Sequence, residues 1–173
     1  MKYKKGRLWI VTVISFGFVA LMNTSFMPII YYNNSSSIPK GFYYSTDFNG
    51  ILQRGDIVVF NPPSEVAQLA YDRGYLSTGH PMIKKVAAVC GDEVSICKDS
   101  LFVAGICMGS ISSMDSEGRE LQAYPYNHYI VNEDEFIAIG THKKSWDSRY
   151  YGPIPVGRVI TKVKPLYLTE NED

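Results

Sequence analysis

Cysteine and histidine are scarce in this chain of 173 residues. Cys90, Cys97 and Cys107 are too few for a disulfide scaffold and lack the paired spacing of a metal site. One disulfide plus one free thiol is the most they allow. His80, His128 and His142 sit in no nucleophile or metal motif, so a Ser-His-Asp triad has no visible base. They read as structural or surface residues. A net charge is also missing, since 17 basic residues balance 17 acidic ones. The balance is uneven: Lys2, Lys4, Lys5 and Arg7 crowd the first seven positions, leaving residues 8–173 with 13 basic against 17 acidic side chains, a formal −4. A mildly acidic body argues against a nucleic-acid partner, which needs a basic stripe on the folded part. Repeats and low-complexity tracts are absent too, and 46% hydrophobic residues rule out wholesale disorder.

No charge appears from Leu8 through Ser37. The strongly apolar run, Leu8 to Met22, is shorter than the roughly 20 residues that a spanning helix needs. Continuing through Asn23-Thr24-Ser25 to Ile30 supplies the length, and Tyr31-Tyr32 supply an aromatic belt. The expected organisation is a cytoplasmic basic tip over 1–7, a transmembrane anchor over 8–30 and an extracytoplasmic domain over 31–173. A cleaved secretory signal is the rival reading, weakened by the lack of a small-x-small site after Ala20.

The body predicts a β domain. Short strand-like runs at 55–60, 82–89, 93–96, 101–104, 128–131, 135–139 and 159–163 are separated by Gly, Pro and Asp. Ser64 is placed to cap one short helix over 65–73, with Gly74 as its stop. Residues 108–126 read as a loop excursion. A tight turn at Asp99-Ser100 mildly favours a Cys90–Cys107 bridge over Cys97–Cys107, and a bulge would reverse that choice, so the pairing stays open.

Three segments are candidates for chemistry. Asn33-x-Ser35-x-Ser37-x-Pro39-x-Gly41-x-Tyr43 alone is a Ser-rich linker, although Ser37 lies no more than about 25 Å along an extended chain from Ile30. In Ile83-Lys84-Lys85-Val86, strand alternation puts Lys84 on the Val86 face if Lys85 meets water. A lone strand lysine is ordinarily a solvated residue. The third segment, Ser145-Trp146-Asp147-Ser148-Arg149-Tyr150-Tyr151-Gly152, alone reads as a turn with an Asp/Arg pair.

In order and spacing, from the apolar segment to about Pro155, the three together resemble the type I signal peptidase family. The Ser-x-Pro-x-Gly form resembles its conjugative-transfer (TraF-type) branch. Arg73-Gly74-Tyr75-Leu76 and Gly118-Arg119 fit that branch, whereas Cys90 departs from the proline that usually precedes Gly-Asp. The resemblance implies a mainly β, coiled antiparallel signal-peptidase-like domain with an N-terminal transmembrane helix and a short helix. It implies Ser37 as nucleophile and Lys84 as general base, with Ser35 joining the Ser37 N–H in the oxyanion hole. Ser145 would orient the lysine, and Asp147 and Arg149 would support the site. No cofactor or metal is called for.

The implied function is a membrane-anchored serine endopeptidase of the bacterial inner membrane, with its catalytic domain on the periplasmic side. Its substrate would be a membrane-inserted precursor, a conjugative pilin in that branch, cleaved and in some cases cyclised through the acyl-enzyme. The implied partners are that precursor, membrane lipid and conjugative secretion components. A general signal peptidase and a non-catalytic scaffold of a secretion apparatus are the alternatives.

Overall fold

The computed structural model describes residues 29–169. The basic tip, the apolar segment up to residue 28 and the acidic end lie outside them, and with them the expected membrane helix. Among the described residues no helix is long and apolar enough to cross a membrane.

The described residues open with β1 (Ile30–Asn33) paired antiparallel to β2 (Gly41–Thr46), Asn33 facing Gly41. The Ser-rich stretch expected to be a linker is the loop of this pair, and Ile30 belongs to its first strand. The next strand is β3 (Ile57–Phe60). Helix α1 (Ser64–Asp72) begins after Pro62-Pro63, and Pro63 itself is the cap residue. Ser64 is therefore the first helical residue rather than the cap: Pro63, with φ −51° and ψ 151°, is still extended, and no side-chain hydrogen bond caps the helix. Gly74, with φ 70°, follows the helix as expected of a left-handed stop.

Strand β4 (Met82–Ala88) alternates from Met82 to Val86, with Met82, Lys84 and Val86 buried and Lys85 exposed. The alternation breaks at a bulge between Val86 and Ala88, which buries Ala87 as well.

A four-stranded sheet follows, built from β5 (Glu93–Cys97), β6 (Ser100–Val103), β7 (Ile106–Ser110) and β8 (Tyr129–Ile130) in the order β7-β6-β5-β8. The β5–β6 turn is Lys98-Asp99, one residue earlier than expected, and Cys97 pairs with Ser100. Both turn residues have positive φ (48° and 58°), the geometry that matches a two-residue hairpin to strand twist. Cys107 lies on β7, across β6 from Cys97, so the two strands stand about 10 Å apart. That exceeds disulfide reach, and all three cysteines are exposed free thiols.

The chain then forms β9 (Glu135–Ile139), the short α2 (Ser148–Tyr151), β10 (Ile154–Pro155) and the long β11 (Val159–Leu168). The main sheet is antiparallel throughout, in the order β1-β2-β11-β3-β4-β9-β10. Pro165, which cannot donate to a ladder, sits where the β11 register against β2 shifts.

One core, under α1, gathers Val58, Phe60, Ala70, Met82, Val86, Phe136 and Trp146. Phe60 and Phe136 meet edge to face at 5.7 Å. A second core joins the two sheets through Val94, Leu101, Val103, Ile137 and Ile139, and a third packs Tyr31, Ile38, Tyr43, Val59 and Val163 behind the Ser-rich loop. Among the described residues the fold is thus mainly β with one helix of two turns or more. Its second helix, α2, starts in a segment that the sequence read as a turn.

Candidate active site

Lys84 stands near the middle of the main sheet, its Cα opposite Val58 on β3. Its side chain is 4% exposed. The Nζ atom lies 2.7 Å from Ser37 Oγ and 2.7 Å from Ser145 Oγ. Burial away from water pushes the amine from its ordinary 10.5 down to about 8; Asp147 pulls it back up and Arg149 pushes it further down. A neutral amine keeps a lone pair and two hydrogens. In that form it accepts the Ser37 hydroxyl hydrogen while donating to Ser145, which is the arrangement needed to take a proton from Ser37.

Each partner is held by its own backbone neighbourhood. The Ser37 carbonyl accepts Thr141 N–H at 2.6 Å, tying the loop after β1 to the segment after β9. Ser145 N–H donates to the His142 carbonyl at 2.9 Å. Gly140 makes this convergence sterically feasible: a Cβ there would lie 2.1 Å from Ser145 Oγ and 2.6 Å from the Ser37 carbonyl oxygen.

Asp147 and Arg149 form a buried pair, 0% and 1% exposed, at the start of α2. Asp147 accepts from Arg149 Nε (2.8 Å), Arg149 Nη2 (2.7 Å), Arg149 N–H (3.1 Å) and Gly140 N–H (2.9 Å). Arg149 also donates to the Ser145 carbonyl at 3.2 Å and the Ser110 carbonyl at 2.8 Å. The pair therefore locks both Gly140 and Ser145, which flank the lysine. Ser35 lies at the mouth, where its hydroxyl donates to Asn33 Oδ1 at 2.8 Å.

These groups open into a cleft of about 700 Å³ lined by the Ser35–Ser37 loop, Met82–Lys84 and Ser145–Trp146. Its far wall includes Tyr75 and Asp115, and behind them meet two segments singled out in the sequence, 73–76 and 118–119. Arg119 donates to Asp115 at 2.6 Å and to the Arg73 carbonyl at 3.1 Å, Tyr75 donates to Asp115, and the Arg119 guanidinium stacks over the Tyr75 ring. All six residues expected at the site (Ser35, Ser37, Lys84, Ser145, Asp147, Arg149) are in one region of the fold. His80 lines the cleft, while His128 pairs with Glu93 away from it.

Sequence reasoning missed Asn33, Gly140 and Thr141. Asn33 carried a signal, as the first residue of the alternating motif; Thr141 carried none. Removing one member of the buried pair should be costly. Asp147→Ala leaves Arg149 charged, buried and without its carboxylate, and is expected to lower stability in urea denaturation by about 3–5 kcal/mol.

The signal peptidase, peptidase S26 family model matches residues 4–168 of the chain. The plasmid transfer protein TraF of Escherichia coli is 31% identical over 144 residues, 78% of this chain and 80% of that protein. The conjugal transfer protein TraF of Agrobacterium fabrum shows the same 31% identity and the same coverage. A probable signal peptidase I-2 of Synechocystis is 26% identical over 83% of this chain and 61% of its own length. A signal peptidase I structure from Enterococcus faecalis superposes at a TM-score of 0.41, with 20% identity over 66% of this chain and 97% of that one, a likeness too low to bear on the fold. A match over nearly the full length, together with relatives at 31% identity, places the chain in the peptidase S26 signal peptidase family.

Proposed function

We propose that this chain is a membrane-anchored serine endopeptidase that processes a membrane-inserted precursor in conjugative transfer, with Ser37 and Lys84 as its catalytic dyad. The observation that carries the reading is the buried Lys84 amine 2.7 Å from the Ser37 hydroxyl. In the reaction, Ser37 Oγ attacks the scissile carbonyl carbon as its proton passes to Lys84 Nζ. The negative charge that develops on the carbonyl oxygen is met by the Ser37 N–H and the Ser35 hydroxyl. The C–N bond then breaks, the leaving amine takes the proton from Lys84, and an ester on Ser37 remains. Water attacks the ester through the same base and gives a linear product. Attack by the substrate's own amino terminus gives a cyclic product, one water lighter.

Residues 82–85 are bonded to β3 on one side, and the pairing with β9 on the other begins only at Lys85. The free edge beside the lysine suits a substrate bound as an added strand. The names of the 31%-identical relatives, a plasmid transfer and a conjugal transfer protein, support the conjugative setting; within that setting the precursor proposed as substrate is a pilin. Membrane apposition is supported by the charge-free segment before Ile29 and by an exposed row, Tyr32, Phe42 and Tyr167, which are register partners across β1, β2 and β11. In this reading the N-terminus is cytoplasmic and the domain faces the periplasm. The likeness to a probable signal peptidase favours a broader enzyme as the second reading, which cleavage of ordinary secretory precursors would establish.

Ser37→Ala and Lys84→Ala are each expected to lower precursor cleavage by on the order of 10⁴-fold or more; wild-type conversion by either variant ends the proposal. The rate should follow the neutral fraction of Lys84. It should climb about tenfold per pH unit below pH 8 and level off above, because the amine titrates at about 8. A profile flat from pH 6 to 9 contradicts Lys84 as the base.

A further inference from the structure

Asn33, the last residue of β1, has its side chain inside the protein at 6% exposure. Its Nδ2 group donates to the carbonyls of Ser35 (2.9 Å), Ile38 (3.0 Å) and Pro39 (3.1 Å). Its Oδ1 accepts from the Ser35 N–H (3.2 Å) and the Ser35 hydroxyl (2.8 Å). The amide's orientation is fixed by this set, since a flipped group would set oxygen against three carbonyl oxygens and NH₂ against an N–H. Tyr43 reinforces the same loop by donating its hydroxyl to the Pro39 carbonyl at 2.6 Å. One carboxamide thus grips the chain on both sides of Ser37, at residue 35 before it and at residues 38 and 39 after it.

We propose that Asn33 is the positioning residue of the oxyanion side of the site, holding the Ser35 hydroxyl hydrogen in reserve until charge develops on the substrate. A hydroxyl has one hydrogen to give. In the resting enzyme that hydrogen is on Asn33 Oδ1, so the Ser35 hydroxyl stabilises a tetrahedral intermediate only by turning away from Asn33 toward the cleft. Oδ1 keeps the Ser35 N–H when this happens, so no buried acceptor is orphaned by the turn. A neutral carboxamide competes weakly with an oxyanion, because hydrogen bonds to charged acceptors are about twice as strong as neutral ones. The device holds the donor near its working position without withholding it from the transition state.

The inference rests on the Ser37–Lys84 reading, and the test separates the two. Full-length enzyme in detergent is assayed on a synthetic precursor peptide with an apolar segment and small residues before the scissile bond, and is titrated with a peptidyl boronate whose adduct on Ser37 carries a tetrahedral oxyanion. Asn33→Ala keeps the Ser35 donor but loses its placement, and is expected to lower kcat by about tenfold or more, up to the roughly 100-fold cost of losing the donor itself, with KM within threefold, and to weaken the boronate by the same factor as kcat. A kcat within threefold of wild type, or a loss confined to KM, overturns the proposal. Because Asn33→Ala can fail to fold, the wild-type Asn33 side-chain amide is also followed by NMR. Its resonances should shift when the boronate binds, as the Ser35 hydroxyl leaves Oδ1, and the shift should be absent in Ser35→Ala. Unmoved resonances in a fully bound wild-type sample overturn the proposal as well. Ser37→Ala run alongside distinguishes the failures: if it cleaves at the wild-type rate, the dyad reading has failed and the inference goes with it, whereas an inactive Ser37→Ala beside a fully active Asn33→Ala sinks the inference alone.

Discussion

A lysine amine buried between two serine hydroxyls is the constraint around which this domain is arranged. Moving the amine from its ordinary 10.5 to about 8 means that the charged form is disfavoured by about 3 kcal/mol inside the protein. Above pH 10.5 the amine is neutral in both folded and unfolded chains and costs nothing. As pH falls toward 8 the unfolded chain takes the proton first, and stability is lost through that window. A fold accepts such a residue only if its surroundings over-determine its place. Here they do: Val58 faces it on β3, Gly140 leaves room where any side chain would strike both serines, and the Asp147–Arg149 pair clamps the loop that carries Ser145.

The three segments that meet at the site are far apart in sequence and are brought together by different devices. Lys84 is placed by a sheet ladder, the most rigid of these. Ser37 is placed by a loop whose two ends are the paired strands β1 and β2 and whose middle is gripped by Asn33, Tyr43 and Thr141. Ser145 is placed by a short segment anchored at Gly140 and α2. Rigid strands and a braced loop hold atoms within hydrogen-bond distance better than a free loop can, and orientation of this kind is a large part of what a peptidase contributes to rate.

Much of this was legible in the sequence, for identifiable reasons. Lys84 and Val86 share the inner face because strand alternation holds from Met82 to Val86; it fails at Ala87, where a bulge adds a residue that periodicity cannot anticipate. The alternating Asn33-to-Tyr43 motif was visible as a pattern, and the structure supplies causes for its other members. Asn33 and Tyr43 brace the loop, while Gly41 lies against β11, where a Cβ would come within 2.2 Å of the Tyr167 carbonyl. The same serines hid β1 and β2, because polar residues in the loop masked the strands beside it. The insertion of β11 between β2 and β3 had no local signal at all, since it joins residues about a hundred positions apart or more. The cleft wall at Tyr75 and Asp115, backed by Arg119, was half legible: segments 73–76 and 118–119 stood out, Asp115 and their meeting did not.

On this reading the Lys84 amine sheds its proton near neutral pH where it sits, beside Ser37. The most direct measurement is an NMR titration of the lysine side chains in the full-length protein, with the Lys84 signal assigned by its loss in Lys84→Met. One lysine titrating near pH 8, with Ser37 resonances that follow it, is the expected result. A Lys84 signal that titrates at 10.5 or above, as solvated lysines do, contradicts the account.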